Sequence, residues 1–241
     1  MQNNNGVYQL DNLSKQSGIS HGFSTNMLGN MSPKYGDDYA ANMDKFWQAM
    51  GLDKNRVVKA DLKNSDKIVD VINLENNIFE CDALITGEKN IAIYFVIGDC
   101  IPILFYAPDK QVVAIAHCGW RGTDLHLAEK TAKQLRDEYS CDLSKLVIGF
   151  GPSIQKSSYV FDVPIEQGED WQPYLQALPN GFTSIDVIGY NLAQLESLGI
   201  AREQIEVSTF DTATSPLFYS HYRALRSGEI EGRFVAAIIL K

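Results

Sequence analysis

The chain has 241 residues, of which 45% are hydrophobic and 21% charged, and its formal charge is −9. That apolar content suits one large domain over residues 1–241 with an ample core, while the acidic balance, with no Lys/Arg-rich run, argues against nucleic acid and anionic membrane as partners. No apolar stretch approaches the roughly 20 residues of a membrane span, Met1 to Gly6 carries no signal-like core, and four cysteines are too few for a disulfide scaffold, so the expected compartment is the cytoplasm.

In chain order, Val7 to Leu10 and Ile19 to Ser24 read as short strands. Asn26 to Asp38, rich in Gly, Asn, Ser and Pro, reads as an exposed loop. Tyr39 to Met50 reads as a helix with Phe46, Trp47 and Met50 on one face, stopped by Gly51. Strands follow at Arg56 to Ala60, Lys67 to Ile72, Leu84 to Thr86 and Ile91 to Ile97. The next stretch organises the chain. Ile101 to Tyr106 is an apolar run, Ala107-Pro108-Asp109-Lys110 is a turn, and Val112 to Ala116 is a β-branched run. Gly98-Asp99-Cys100 precedes the first run, and His117-Cys118-Gly119-Trp120-Arg121-Gly122 follows the second. A hairpin therefore places Cys100 and His117 at the same edge of a sheet.

Asp124 to Tyr139 reads as a helix with Leu125, Leu127, Ala128, Thr131, Ala132 and Leu135 as its apolar stripe. Leu146 to Phe150 reads as a buried strand, and Pro164 to Leu178 as acidic and partly helical, broken at Pro173. Ile185 to Leu198 reads as a helix facing inward with Ile188, Leu192, Leu195 and Leu198. Strands are expected at Ile205 to Thr209 and Phe234 to Leu240, with a polar loop from Asp211 to Gly232. The irregular alternation favours an α/β (α+β) layered sandwich, mixed sheets flanked by helices, over a doubly wound parallel sheet.

A buried cysteine is usually a small hydrophobe, which is the reading for Cys81 and Cys141. Cys100 and His117 admit two readings: a shared reactive site, or ordinary packing at strand ends. A Cys/His nucleophile–base pair needs no metal. Multi-copper phenol oxidation fits poorly, because four histidines and a few thiols cannot build such clusters.

Gly98-Asp99-Cys100-Ile101-Pro102 followed by Ala116-His117-Cys118-Gly119-Trp120-Arg121-Gly122 resembles the core motif of the laccase-domain family, long labelled polyphenol oxidase and now regarded as purine nucleoside phosphorylases. Further pieces look like the family's other motifs in the same order: His21 to Thr25, Gly36-Asp37-Asp38 with Asn42, Cys81 to Thr86, Gly149 to Ile154, and Phe218 to Arg223 with Gly232-Arg233-Phe234. The resemblance implies layered sheets flanked by helices. It implies phosphorolysis of adenosine or inosine and adenosine deamination, with purine nucleoside and phosphate as ligands. It also implies zinc held by Cys100 and His117, and Arg121 and Arg223 as anion holders. Read from the residues themselves, Arg121 and Arg223 are either anion holders or members of structural salt bridges, Trp120 either stacks on a purine or packs in the core, and Asn42 and Ser220 either orient substrate hydroxyls or cap turns.

Two positions depart from the pattern. Lys63, in Asp61-Leu62-Lys63-Asn64, stands where the family has its third zinc-ligating histidine, and an ammonium has no lone pair to give. Asn26 stands where the family commonly has arginine after the Phe-Ser-Thr strand. Lys63 gives the enzyme reading a competitor, a relative that keeps the pocket and binds a ligand or partner without turnover.

Overall fold

Alternation along two paired strands sets the layers of this fold. The strand Ile101–Ala107 pairs antiparallel with Val112–Cys118. Ile101, Ile103 and Phe105, with Val112, Ala114, Ala116 and Cys118, join one apolar cluster. Leu104, Tyr106, Val113 and Ile115 join another. Every residue of both strands is buried, as a sheet covered on both faces requires, and this is why Ile101 to Tyr106 and Val112 to Ala116 read as unbroken apolar runs. The computed structural model describes residues 2–3, 5–161, 168–179 and 181–241.

Around that hairpin lies a six-stranded sheet in the order Ile205–Val207, Val147–Phe150, Ile101–Ala107, Val112–Cys118, Ala83–Thr86, Ile68–Asp70. A seven-stranded sheet runs Gln2–Asn3, Val7–Tyr8, Ile19–Ser24, Phe234–Leu240, Ala92–Ile97, Val57–Asp61, Ile78–Glu80. The two sheets meet across a core that includes Phe23, Ile93, Phe95, Phe234 and Ile238 from one and Leu84, Leu104 and Ile115 from the other. Each such side chain contributes roughly 1.5–3 kcal/mol of burial. The helices Leu127–Asp137 and Val187–Ser197 cover the outer face of the six-stranded sheet. Tyr39–Met50 covers the other outer face, with Phe46 and Trp47 against Val235, Ala237 and Ile239. The order helix, sheet, sheet, helix is the layered sandwich expected from the sequence. No helix among the described residues is long and apolar enough to cross a membrane.

Several elements differ from the sequence reading. The strand expected at Val7 to Leu10 is only Val7–Tyr8, followed by a helical turn at Asp11–Ser14. The helix expected over Asp124 to Tyr139 is two helices, Trp120–Asp124 and Leu127–Asp137, separated at His126 in the left-handed region (φ 58°), and Leu125 at the break is exposed. Asn191 and Gln194 explain both this break and the turned face of Val187–Ser197. Asn191 Nδ2 donates to Thr123 Oγ1 at 2.6 Å and Gln194 Nε2 to Thr123 O at 2.9 Å. Those bonds rotate Val187, Tyr190, Asn191, Gln194 and Leu195 inward and leave Ile188, Leu192 and Leu198 only half-buried. Within Pro164 to Leu178, residues 164–167 lie outside the described residues. Glu169–Tyr174 is a 3-10 helix containing Pro173, and Leu175–Ala177 joins a small sheet with Val160–Phe161 and Thr183–Ile185. The polar loop from Asp211 to Gly232 contains the helix His221–Ser227.

Candidate active site

The hairpin register sets His117 opposite Pro102, two residues beyond Cys100, so the imidazole and the thiol share one end of the six-stranded sheet. Its place in the alternation turns the His117 ring between the sheets, where it meets the edge of Phe95 with centroids 5.8 Å apart. His117 Nδ1 lies 2.9 Å from Asp82 Oδ1. Asp82, fully buried, enters the strand Ala83–Thr86. It also accepts the backbone N–H groups of Lys63 (3.1 Å), Asn64 (3.0 Å) and Ser65 (2.7 Å) and the Ser65 hydroxyl (2.7 Å). A loop is thus wrapped around one carboxylate.

Charge follows from these contacts. Burial alone would push the Asp82 carboxyl up, but the donors His117 and Ser65 outweigh it and hold it down to about 2. Burial likewise opposes the His117 imidazolium, yet the charge of Cys100 and the Asp82 carboxylate raise it to about 9. Cys100 lines the same cleft as that ring.

Cys100 is seated by two neighbours. Gly119 leaves room for the sulfur, since a Cβ there would stand 2.6 Å from Cys100 Sγ. Asp99 ties the loop down, its Oδ1 accepting from Thr212 Oγ1 (2.6 Å) and its Oδ2 from Tyr222 N (2.7 Å). Cys81, Cys118 and Cys141 are buried, and Cys100 is half-exposed. Burial raises the Cys81 thiol to about 12 and the Cys141 thiol to about 11.

Cys100 and His117 open on a cleft of ≈ 560 Å³ whose wall carries Arg121, Arg226 and Arg233 and the rings of Tyr159, Phe161 and Tyr222. Arg121 stacks on Trp120 at 4.4 Å and Arg226 on Tyr222 at 3.5 Å. Arg233 is held by Glu231 (2.9 Å) and the Tyr35 hydroxyl (2.9 Å). Among the described residues, Asp99 is the acidic residue on this wall, and both its oxygens are already bonded. The described wall is therefore cationic in a chain whose overall charge is −9.

The structure brings Cys100, His117 and Arg121 together, with Trp120 beside them in a small apolar recess behind Cys100. Three other candidates are engaged in holding loops. Arg223 donates to Thr212 O (2.5 Å), Ser215 O (2.9 Å), Phe218 O (2.9 Å) and Glu229 Oε2 (2.8 Å), which leaves its fork no pair of parallel donors for an anion. Ser220 caps its helix by accepting from Arg223 N at 3.0 Å. Asn42 is buried, donates to Asn30 O at 3.0 Å and accepts from Lys45 Nζ at 3.2 Å. Asp82, Arg226 and Tyr159 are the residues the sequence reading missed. The signal for Asp82 was an acid placed directly before the wholly apolar Ala83-Leu84-Ile85.

A zinc ion of the kind the resemblance implies needs at least three protein donors. Among the described residues no three His, Cys, Asp or Glu side chains are grouped to hold one. The Lys63 ammonium sits between Asp61 Oδ2 (2.8 Å) and Glu80 Oε1 (3.2 Å), and those bonds, Asp61 foremost, raise its pKa. His21 Nε2 accepts from Leu10 N at 2.9 Å, and burial pushes that ring down to about 4. His126 is paired with Glu129 at 2.8 Å and His221 with Glu231 at 2.6 Å. The donors present do not fit a three-ligand zinc.

A family model described as multi-copper polyphenol oxidoreductase laccase matches residues 12–241. The purine nucleoside phosphorylase YlmD of Bacillus subtilis is 33% identical over 148 residues, 59% of this chain and 53% of that protein. The purine nucleoside phosphorylase SSP1584 of Staphylococcus saprophyticus is 27% identical over 189 residues, 77% of this chain and 69% of that protein. The chain thus spans about half the length of the Bacillus relative. The crystal structure of YlmD from Geobacillus stearothermophilus shares the fold, with a TM-score of 0.85 at 23% identity over 100% of this chain and 98% of that one.

Proposed function

The chain belongs to the multi-copper polyphenol oxidoreductase laccase family, and from that membership we propose that it is a purine nucleoside phosphorylase working in the cleft between Arg121 and His117. The observation that carries this reading is a trio of arginines beside a carboxylate-bound imidazole, in a protein whose net charge would otherwise repel phosphate. The names of the Bacillus and Staphylococcus relatives point to the same reaction.

Arg121 and Arg226 hold phosphate oxygens, each guanidinium able to offer two parallel donors. Tyr159 and Tyr222 supply aromatic faces for the purine. A phosphate oxygen bonds to the anomeric carbon as the C–N bond to the purine breaks. His117, charged below about pH 9, gives its proton to the departing base and regains one from phosphate. Asp82 holds the ring in the orientation this transfer needs.

The test is incubation with inosine or adenosine, with and without phosphate, followed by chromatography. Free base and ribose 1-phosphate in equal amounts, only when phosphate is present, are expected. Base released without phosphate would overturn the reading in favour of hydrolysis. Nucleoside bound but never cleaved would establish the binding-only alternative that Lys63 motivates. Adenosine deamination would show itself as inosine without free base.

A further inference from the structure

We propose that the Cys100–His117–Asp82 chain works without a resident metal, as a thiol with its own base and orienting carboxylate, and that Lys63 is the residue that keeps an ion out. The proposal goes beyond nucleoside turnover and does not rest on it.

The backbone of position 63 is tied to the site's carboxylate. The Lys63 N–H donates to Asp82 Oδ2 at 3.1 Å, and the other oxygen of the same carboxylate holds His117. A histidine here would add a nitrogen donor to the sulfur and imidazole already present. The lysine instead directs its ammonium to Asp61 and Glu80, where it has no lone pair for a cation. Among the described residues two donors remain, too few for a zinc site. What the remaining groups do form is a thiol sharing a cleft with an imidazole whose Nδ1 is fixed by a buried carboxylate, the nucleophile–base–orienter set of covalent catalysis. The room left by Gly119 lets the sulfur occupy that place, and the cleft exposes it while the other three thiols are buried.

The matching reactant is a small anion with an electrophilic carbon, drawn in by Arg121, Arg226 and Arg233. Iodoacetate is the simplest probe. The Cys100 sulfur, its proton already carried by His117, bonds to the methylene carbon as the carbon–iodine bond breaks and iodide leaves.

The folded protein is treated with iodoacetate and, separately, with neutral iodoacetamide, and the modified peptides are identified by mass spectrometry. Cys100 is expected to react at least about tenfold faster than Cys81, Cys118 and Cys141, faster with iodoacetate than with iodoacetamide, and about tenfold more slowly in His117→Asn. Metal analysis of the unaltered protein after exposure to zinc is expected to find far less than one ion per chain. Lys63→His is expected to take up about one, and that zinc to protect Cys100 from iodoacetate. One zinc per unaltered chain, a Lys63→His protein that binds none, or Cys100 no faster than the buried thiols would each overturn the proposal. The metal and labelling measurements on the unaltered protein stand even if His117→Asn does not fold. Because no nucleoside is used, failure here is distinguishable from failure of the phosphorylase reading.

Discussion

Asp82 Oδ1 stands 2.9 Å from His117 Nδ1 across 35 residues of chain, and the same carboxylate gathers the backbone of residues 63–65. One buried charge therefore fixes both the ring that moves protons and the loop that carries Lys63. Asp82→Asn removes that charge and sets an amide N–H₂ against donors. It is expected to cost about 3–5 kcal/mol, as for other broken buried pairs, read from urea unfolding midpoints. A midpoint within 0.5 kcal/mol of the parent, on the order of an ordinary surface change, would contradict the role given to Asp82.

The same pair sets the dependence of stability on pH. His117 is raised from 6.5 to about 9, so its contribution is complete below pH 6.5 and is lost as pH rises through about 9. Asp82 is lowered from 3.8 to about 2, so its contribution is present above pH 3.8 and is lost as pH falls through about 2. Thermal melts should show a fall between pH 6.5 and 9 that His117→Asn flattens. A melting temperature that rises over that interval would count against the ion pair.

Arg121 and Arg223 should separate function from stability. Arg121 lines the cleft and stacks on Trp120. Its replacement by Ala is expected to raise KM for phosphate roughly 10- to 100-fold, about 1.5–3 kcal/mol of charged hydrogen bonding, with the unfolding midpoint unchanged. Arg223→Ala strips the carbonyls of Thr212, Ser215 and Phe218 of their donors. It should cost about 2–3 kcal/mol of stability. Steady-state kinetics and denaturation on both variants check the split, and the reverse assignment would refute it.

Gly119→Ala forces a methyl to 2.6 Å from Cys100 Sγ, and overpacking of this kind costs about 1–3 kcal/mol. Gly87→Ala is the control, because its Cβ would meet nothing nearer than Val112 Cγ2 at 3.8 Å. Only the first is expected to slow carboxymethylation of Cys100. Equal rates in the two variants would show that the sulfur is not seated against Gly119.

The layered core was legible in the sequence because apolar periodicity is a local property. The runs at residues 101–107, 112–116 and 234–240 are apolar throughout because both faces are covered, and Cys100 and His117 were placed together by a short hairpin. Contacts formed over long distances in sequence were not legible. Nothing in the spacing of Asp82 and His117 announces their bond. Arg223 and Arg226 share one short helix, and which of them faces the cleft depends on how Asp99 and Ser220 tie its first turn. That helix itself was read as loop because Ala224 is the residue it buries, leaving no apolar stripe to detect. The inward face of Val187–Ser197 was misread because Asn191 and Gln194, polar side chains, turn toward Thr123 and are buried by hydrogen bonding.

A crystal of the protein soaked with inorganic phosphate and a non-cleavable purine nucleoside analogue puts the whole reading to one observation. The phosphate is expected within hydrogen-bond distance of the Arg121 guanidinium, with the ribose between it and the His117 ring and the purine against Tyr159 or Tyr222. Phosphate seated elsewhere, with the analogue away from His117, would contradict the assignment of this cleft as the reaction centre.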